Sequence, residues 1–194
     1  VLAPKAGETV VDMCSAPGGK TTHLAQLMQN EGIIYAGDVH EHKIKLIEEN
    51  ATRLGIKIIN AQIQDATEFV EAWEGKADKV LVDAPCSGMG VLRRRAEARW
   101  RKTQNKIKIF PSLQLKILTN AARYVKAGGT LVYSTCTIEQ AENHYLVQEF
   151  LTANPDWRIE PFAHPLTGEM VEELQLMPNV DGIDGFYICK LVKK

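Results

Sequence analysis

The stretch Thr9–Thr22, TVVDMCSAPGGKTT, runs from a short apolar strand through a glycine-containing loop into the start of a helix. A buried strand that leads through a polar turn into a helix is typical of sheets whose strands are joined by helices. Gly18 and Gly19 let the backbone approach a ligand closely, and the helix that follows offers unpaired N–H groups at its N-terminus. The stretch therefore predicts an α/β fold with a ligand-binding loop after its first strand.

The rest of the chain repeats this alternation. The predicted strands are Thr9–Met13, Ile33–Asp38, Ile56–Gln62, Lys79–Asp83 and Thr130–Ser134, and the predicted helices are Gly19–Gln29, Glu41–Leu54, Ser112–Tyr124 and Glu139–Leu151. Residues 157–161 and 186–192 are predicted to pair as two late strands. The pattern indicates a mainly parallel sheet of seven strands with helices on both faces. With 194 residues, the chain fits one domain.

Composition excludes several classes of protein. Hydrophobic residues make up 45% of the chain and charged residues 24%, which is ordinary for a globular domain. No apolar run reaches the roughly 20 residues of a membrane span, and Val1–Glu8 lacks the apolar core of a signal peptide. The four cysteines lie far apart, which disfavours a zinc ribbon or a disulfide framework, and the five histidines favour surface or capping positions. We therefore expect a cytoplasmic protein with reduced thiols, no metal and no membrane contact.

Polar or reactive residues follow all five strands of the alternating part. They are the Asp12–Lys20 loop, Asp38, Asp65, Asp83–Gly88 and Ser134–Thr137. In such a sheet, ligands bind beyond the carboxyl ends of the strands, near the point where the strand order reverses. Asp38 suits a ribose diol, because a carboxylate accepts both hydroxyl protons, although a helix N-cap is an equal alternative. A nucleoside triphosphatase is disfavoured, because Cys14 stands where the phosphate-binding loop needs a glycine.

One segment is strongly basic. Eight lysines and arginines and one acid, Glu97, lie between Arg93 and Lys108, so this segment carries +7 whereas the whole chain carries −1. Such a run is either a solvated face or a phosphate-binding patch on an acidic body. It lies within Ala84–Pro111, which is predicted to be irregular, and irregular loops of that length in compact domains are usually functional.

Five ordered motifs resemble those of the Nol/Nop/Sun family of RNA cytosine-5 methyltransferases, most closely the bacterial Sun/Fmu type that acts on 16S ribosomal RNA. The motifs are Asp12–Thr22 (DMCSAPGGKTT), Asp83–Gly88 (DAPCSG), Arg93–Trp100 (RRRAEARW), Tyr133–Thr137 (YSTCT) and Glu142–Asn143. The resemblance covers residues 1–160 and returns at Asp184–Leu191. Ser15 and Ala96 depart from the family, which often has alanine and proline at these positions.

The resemblance implies a Rossmann-like class I methyltransferase fold that binds S-adenosylmethionine. It implies that residues 1–194 are a single catalytic domain, that the family's N-terminal RNA-binding region is missing, and that the partner is RNA, ribosomal RNA first of all. We expect a monomer. We expect Asp38 to bind the ribose, Asp65 to bind the adenine amine, and Lys43 to approach Asp38 or the ribose. The complete set of expected cofactor-binding residues is Cys14, Ser15, Ala16, Pro17, Gly18, Gly19, Lys20, Asp38, Lys43, Asp65 and Asp83.

The reaction explains why two cysteine motifs are needed. C5 of cytosine is a weak nucleophile, and thiolate addition to C6 turns it into an enamine-like carbon that can accept a methyl group. The residues alone leave open which cysteine attacks, since Pro85–Cys86 also resembles the nucleophile of DNA cytosine-5 methyltransferases. The family resemblance assigns attack to Cys136 and product release to Cys86. A helix N-terminus after Cys136, or a nearby cation, is expected to raise its thiolate fraction.

The remaining expectations concern supporting residues. Asp83 is expected to hydrogen-bond N3 or the exocyclic amine of the base, and Lys20 to orient Asp83 or the pyrimidine. Buried packing roles are expected for Cys14 and Cys189. The residues expected to contact RNA phosphates are Arg93, Arg94, Arg95 and Arg99.

Two other classes of function remain open. One is a methyltransferase of the same fold that acts on tRNA, DNA or a small molecule. DNA enzymes of this chemistry carry a large target-recognition insertion, which this sequence has no room for. The other is a non-catalytic RNA-binding scaffold, and the joint presence of Lys20, Asp83, Cys86 and Cys136 argues against it.

Overall fold

The computed structural model describes residues 1–95, 97, 100, 103 and 107–194. Its strands are β1 (Thr9–Asp12), β2 (Ile33–Asp38), β3 (Ile59–Ile63), β4 (Ala77–Asp83), β5 (Val125–Thr135), β6 (Trp157–Ile159), β7 (Phe162–Ala163), β8 (Met170–Val171), β9 (Glu173–Leu176) and β10 (Phe186–Lys193). Its α-helices are α1 (Gly19–Leu27), α2 (Glu41–Arg53), α3 (Phe110–Tyr124), α4 (His144–Ala153) and α5 (Pro178–Asp181). Within these described residues, 3₁₀ turns cover Glu71–Trp73, Met89–Val91 and Gln140–Glu142.

The main sheet has the strand order β3-β2-β1-β4-β5-β10, and β1 to β5 are parallel. β10 runs antiparallel to β5. The far edge of β10 is shared by two short antiparallel strands, since β9 pairs with Phe186–Cys189 and β6 pairs with Leu191–Lys193. The predicted mainly parallel sheet is confirmed, including the pairing of the two late strands, and its seventh position holds two short strands instead of one.

Helices cover both faces of the sheet, as predicted. Successive residues of a strand point to opposite faces, so Val10 and Val11 belong to different clusters of the core. One face packs against α1 through Leu24 and Ala25, and against Met28 just after that helix. The other packs against α3 and α4 through residues such as Ile117, Leu118, Leu146, Val147 and Phe150. No helix among the described residues is both long and apolar enough to cross a membrane.

The predicted helix Glu139–Leu151 begins five residues late, at His144. The 3₁₀ turn Gln140–Glu142 precedes it, and Asn143 has φ −118° and ψ −106°, outside the helical region. Glu142 and Asn143 are both 0% exposed, so their polar side chains face the interior, which the apolar periodicity of the segment does not reveal. β5 begins at Val125 and not at Thr130, and β3 begins at Ile59 and not at Ile56.

The strand order reverses between β1 and β4, because β2 and β3 lie beyond β1 whereas β5 lies beyond β4. At such a point the two connecting loops diverge and leave a crevice beyond the carboxyl ends of the strands. The polar residues that follow the five strands therefore lie at one edge of the sheet.

Candidate active site

A cavity of about 490 Å³ lies at this edge, and a second one of about 250 Å³ adjoins it. The larger cavity is lined by six of the residues expected to bind the cofactor, Cys14, Ala16, Asp38, Lys43, Asp65 and Asp83. The smaller cavity shares Cys14, Ala16 and Asp83 and adds Ser15, Pro17, Gly19 and Lys20. The structure therefore brings together all but one of these residues.

The exception is Gly18. Its φ of +102° lies in the left-handed region, which favours glycine, and a Cβ there would lie 3.2 Å from Cα of Ile47 on α2. Gly18 thus permits the close approach of α2, and it lines neither of the two cavities.

Asp38 and Asp65, two carboxylates that line the larger cavity, each accept hydrogen bonds from the loop that follows them. Asp38 Oδ1 accepts the backbone N–H of His40 at 3.0 Å and lies 3.7 Å from Lys43 Nζ. The N-cap of α2 is His40, so the alternative of Asp38 as N-cap is wrong. Asp65 Oδ1 accepts the backbone N–H and the hydroxyl of Thr67, both at 2.8 Å, and these bonds lower the pKa of Asp65. Both groups are thus held ready to accept hydrogen bonds.

The apolar wall of the larger cavity was not predicted. Leu113 and Ile117 of α3 form part of it, together with Met13 and Pro85. The apolar periodicity of α3 predicts a buried face, but it does not distinguish residues that pack on the sheet from residues that face a cavity.

Asp12, at the end of β1, is a second feature missed by sequence reasoning. Its carboxyl is 1% exposed and lines the smaller cavity. Oδ2 accepts the Thr21 hydroxyl at 2.7 Å, whereas Oδ1 has no partner within the part of the chain that the structure describes. Burial raises the pKa of Asp12 to about 7. A buried oxygen without a partner is unusual in a folded protein and marks Asp12 as a candidate functional residue.

Lys20 and Asp83 meet between the two strand ends, as expected. Lys20 Nζ lies 2.6 Å from Asp83 Oδ2, and Ser134 donates its hydroxyl to Asp83 Oδ1 at 2.9 Å. Both oxygens of the Asp83 carboxylate therefore accept a hydrogen bond, and these bonds fix the orientation of the carboxylate at the cavity wall.

The two cysteine motifs converge because β4 and β5 are neighbours, with Asp83 paired to Ser134 in register. Cys86 Sγ and Cys136 Sγ lie 3.2 Å apart, and both residues are partly buried. The hydrogen bond from the Cys86 thiol lowers the pKa of Cys136 to about 7. The same contact and burial raise the pKa of Cys86. The directions of these shifts favour Cys136 as the thiolate of the pair and Cys86 as the protonated donor.

The predicted cause of this thiolate character needs correction. The sequence predicts a helix N-terminus just after Cys136, but α4 begins only at His144. The largest cause is the Cys86 thiol, and Arg95 contributes a smaller attraction. The nearby cation was therefore expected correctly, but the main donor is the second thiol.

The two thiols predict how the alkylation rate of Cys136 depends on pH. Above its pKa of about 7, Cys136 is mostly thiolate, so its alkylation by iodoacetamide should rise with pH, bend near pH 7 and then level off. Replacing Cys86 by Ala removes the donor, so the bend should move up toward the ordinary thiol value of ~8.5. Peptide-resolved mass spectrometry measures both rates, with the buried Cys189 as internal control. If the alkylation rate of Cys136 levelled off at the same pH in Cys86→Ala and in the wild type, the assignment of Cys86 as the hydrogen-bond donor would be contradicted.

The other two cysteines have packing roles. Cys189 is 0% exposed and belongs to the core, and burial raises its pKa. Burial also raises the pKa of Cys14, which contributes to the walls of both cavities. Among the residues that the structure describes, no three His, Cys, Asp or Glu side chains form a group that could hold a metal ion.

The basic segment is described only in part. Arg93 Nε and Arg94 Nε contact the two carboxylate oxygens of Asp184 at 2.5 and 2.7 Å, which neutralises part of their charge. Arg95 is exposed and lies near enough to Cys136 to influence its pKa. Arg99 lies outside the described residues.

The family model described as "16S rRNA methyltransferase RsmB/F" matches residues 1–192. The chain belongs to this family. The resemblance to the Nol/Nop/Sun enzymes is thereby confirmed, and the sheet is the Rossmann-like sheet of methyltransferases that use S-adenosylmethionine.

Individual relatives agree with the family. The chain is 44% identical, over its whole length, to "Probable ribosomal RNA small subunit methyltransferase B" of Bacillus subtilis (strain 168), of which it covers 45%. It is 35% identical to the "tRNA (cytosine(49)-C(5))-methyltransferase" of Pyrococcus abyssi (strain GE5 / Orsay), covering 66% of it. The crystal structure of NSun6 from Pyrococcus horikoshii superimposes with a TM-score of 0.85 and 35% identity over 99% of this chain and 49% of that one. The chain thus spans about half the length of the Bacillus relative.

Proposed function

We propose that this chain transfers a methyl group from S-adenosylmethionine to C5 of a cytosine in 16S ribosomal RNA, through a covalent adduct between Cys136 and C6 of the base. The observation that carries the proposal is the pair of thiols 3.2 Å apart, beside Asp83 and Lys20, at the edge of a cavity. A bare RNA-binding scaffold has no use for a thiol whose pKa is lowered.

The cavities fit a nucleoside with an amino-acid arm. The larger cavity, of about 490 Å³, has carboxylates at Asp38 and Asp65 and an apolar wall, which suits a ribose, an amine and a flat ring. The smaller one is lined by Asp12, whose carboxyl group can accept the N–H of an ammonium group. When bound, S-adenosylmethionine supplies an electrophilic methyl group on a sulfonium. The loop of residues 14–20 would hold it between the two cavities.

The attack begins at Cys136. Its thiolate adds to C6 of the cytosine, and the electron pair of the C5–C6 bond becomes available at C5. N3 takes up a proton from water as the thiolate adds, and Asp83 accepts a hydrogen bond from that N3–H or from the exocyclic amine, while Lys20 and Ser134 keep its carboxylate in place. The residues thus orient the base and raise the nucleophilicity of C5.

Release of the methylated base requires that the bond between Cys136 Sγ and C6 break again. After methylation C5 carries both a methyl group and a proton, and loss of that proton to water expels the Cys136 thiolate. The Cys86 thiol, 3.2 Å away, donates a hydrogen bond to the departing sulfur and so stabilises it. This gives each cysteine a separate step.

Methyl incorporation tests the proposed function. The chain is incubated with labelled S-adenosylmethionine and with unmethylated 16S ribosomal RNA, tRNA or DNA, and the digested nucleosides are separated. We expect 5-methylcytidine in ribosomal RNA. Label in tRNA alone would replace the ribosomal substrate by a tRNA, as in the Pyrococcus abyssi relative. Label in DNA, or on a nitrogen or oxygen atom, would overturn the proposal.

Asp38→Ala tests the proposed ribose contact. Losing hydrogen bonds to a charged group should weaken the affinity for S-adenosylmethionine by roughly 1.5–3 kcal/mol, or about 10- to 150-fold. Titration calorimetry measures this, and Glu41→Ala, an exposed acid in the first turn of α2, is the matched control. Equal affinity of Asp38→Ala and the wild type would refute the ribose contact.

Arg95→Ala tests the proposed contact with RNA. Arg93 and Arg94 share Asp184, so Arg95 should have the larger effect of the three. A lost contact with single-stranded RNA should weaken binding and flatten the salt dependence by ~0.7 log unit of affinity per log unit of salt. Arg158→Ala, an exposed arginine on β6 that pairs with Glu160, is the control. If affinity and slope match the control, the segment is only a solvated face.

A further inference from the structure

The Glu142–Asn143 pair is a sequence motif to which the proposed mechanism assigns no role. Both residues are 0% exposed and lie between the end of β5 and the start of α4. Each bonds to the residues that flank one of the two cysteines. The pair thus connects two loops that follow different strands.

Asn143 holds Cys136 from both sides. Its Oδ1 accepts the hydroxyl of Thr135 at 2.7 Å, and its Nδ2 donates to the carbonyl of Thr137 at 3.1 Å. Nδ2 also donates to Gln175 Oε1 on β9 at 2.7 Å. The neighbours of Cys136 on either side are therefore fixed by one side chain.

Glu142 holds Cys86 in the same way, with the help of Gln114 on α3. Glu142 Oε2 accepts the backbone N–H of Ser87 at 2.9 Å and Gln114 Nε2 at 2.8 Å. Gln114 Nε2 also donates to the carbonyl of Pro85 at 2.9 Å. The neighbours of Cys86 are therefore fixed as well.

The two loops are also joined directly, since the hydroxyls of Ser87 and Thr137 lie 2.7 Å apart. The arrangement is costly for the fold, because Glu142 Oε1 and Gln114 Oε1 are buried without a partner among the described residues. Apolar residues of similar volume would fill this space at lower cost. The polar network therefore needs an explanation beyond packing.

We propose that Asn143 and Glu142 are positioning residues, which set the distance and direction between the Cys136 thiolate and the Cys86 thiol. This inference rests on the proposed function, since it assigns those thiols to attack and release. Both side chains are 0% exposed, so they act through the cysteine loops. Displacing either sulfur by about 1 Å should cost roughly 10²-fold in rate.

The test compares Asn143→Ala and Glu142→Ala with Asn154→Ala, which loses a side-chain bond to Phe150 at the other end of α4. We expect kcat to fall ~10²-fold in the first two variants, with KM for RNA unchanged. Glu142→Gln keeps an acceptor for Ser87 and Gln114 and should recover most of the activity. A rise in KM at unchanged kcat would overturn the proposal, because it would place these residues in substrate binding.

A second readout needs neither RNA nor cofactor. Cys86, Asp83 and Arg95 are the titratable groups that act on Cys136, and the alkylation rate of the wild type is expected to level off above pH 7. In Asn143→Ala and Glu142→Ala, the bend should move up, because the Cys86 thiol no longer faces Cys136. Loss of activity with an unmoved bend would show a merely structural role. Thr135→Val removes the hydroxyl that donates to Asn143 and that accepts the Thr137 N–H at 3.4 Å, and it provides the same comparison if Asn143→Ala does not fold.

The two readouts separate the proposals. If the wild type leaves RNA unmethylated while the bend depends on Asn143 and Glu142, the proposed function fails and the positioning stands. If the wild type methylates RNA and neither variant changes kcat or the bend, the positioning fails and the function stands.

Discussion

Cys136→Ala should abolish methyl transfer and form no covalent complex with RNA, whereas Cys86→Ala should form a complex that persists. Removal of a catalytic nucleophile lowers rates on the order of 10⁶-fold. Cys86→Ala retains the attacking sulfur but loses the thiol 3.2 Å away that stabilises its departure. Denaturing electrophoresis with labelled RNA measures the complex, and a radioactive methyl donor measures the transfer. Cys189→Ala, which changes a buried cysteine of the core, is the control.

The converse pattern would reverse the roles. If Cys136→Ala accumulated the complex and Cys86→Ala did not, the attack would belong to the Pro85–Cys86 motif, as the sequence alone left open. If both variants retained full activity, a covalent mechanism would be wrong for this chain.

Asp83→Asn should lower kcat by ~10²- to 10⁴-fold, the range for loss of an acid–base group. The amide keeps the size of the side chain but loses the charge that pairs with Lys20 at 2.6 Å. Single-turnover methylation measures the rate. Asp78→Asn is the matched control, since Asp78 lies at the other end of β4 and also pairs with a lysine, Lys126. Equal rates of the two variants would remove Asp83 from the chemistry.

The sequence predicts the edge of the sheet well, because parallel strands place their carboxyl ends side by side. Asp38, Asp65 and Asp83 are far apart in the chain, yet the alternation of strands and helices suffices to place them around one cavity. The paired cysteine motifs meet for the same reason, since each follows one of two adjacent strands.

What the sequence does not predict depends on long-range contacts. Asp184 lies about 90 residues from Arg93 and Arg94, with which it pairs, and no local sequence pattern predicts that contact. The inward turn of Glu142 and Asn143 is not visible in the sequence, because both residues are polar and their burial depends on partners far away in the chain such as Ser87, Gln114 and Gln175. The hydrogen bond between the thiols is likewise set by loops that only the folded chain brings together.

The most direct test of the covalent mechanism is the site of attachment in the complex trapped by Cys86→Ala. After nuclease and protease digestion, mass spectrometry should find the peptide that contains Cys136 heavier by one 5-methylcytidine nucleotide, because addition across the C5–C6 bond retains every atom of peptide and methylated base. The same mass on a peptide with another residue as the attachment point, or an unmethylated nucleotide on Cys136 despite saturating S-adenosylmethionine, would contradict the account.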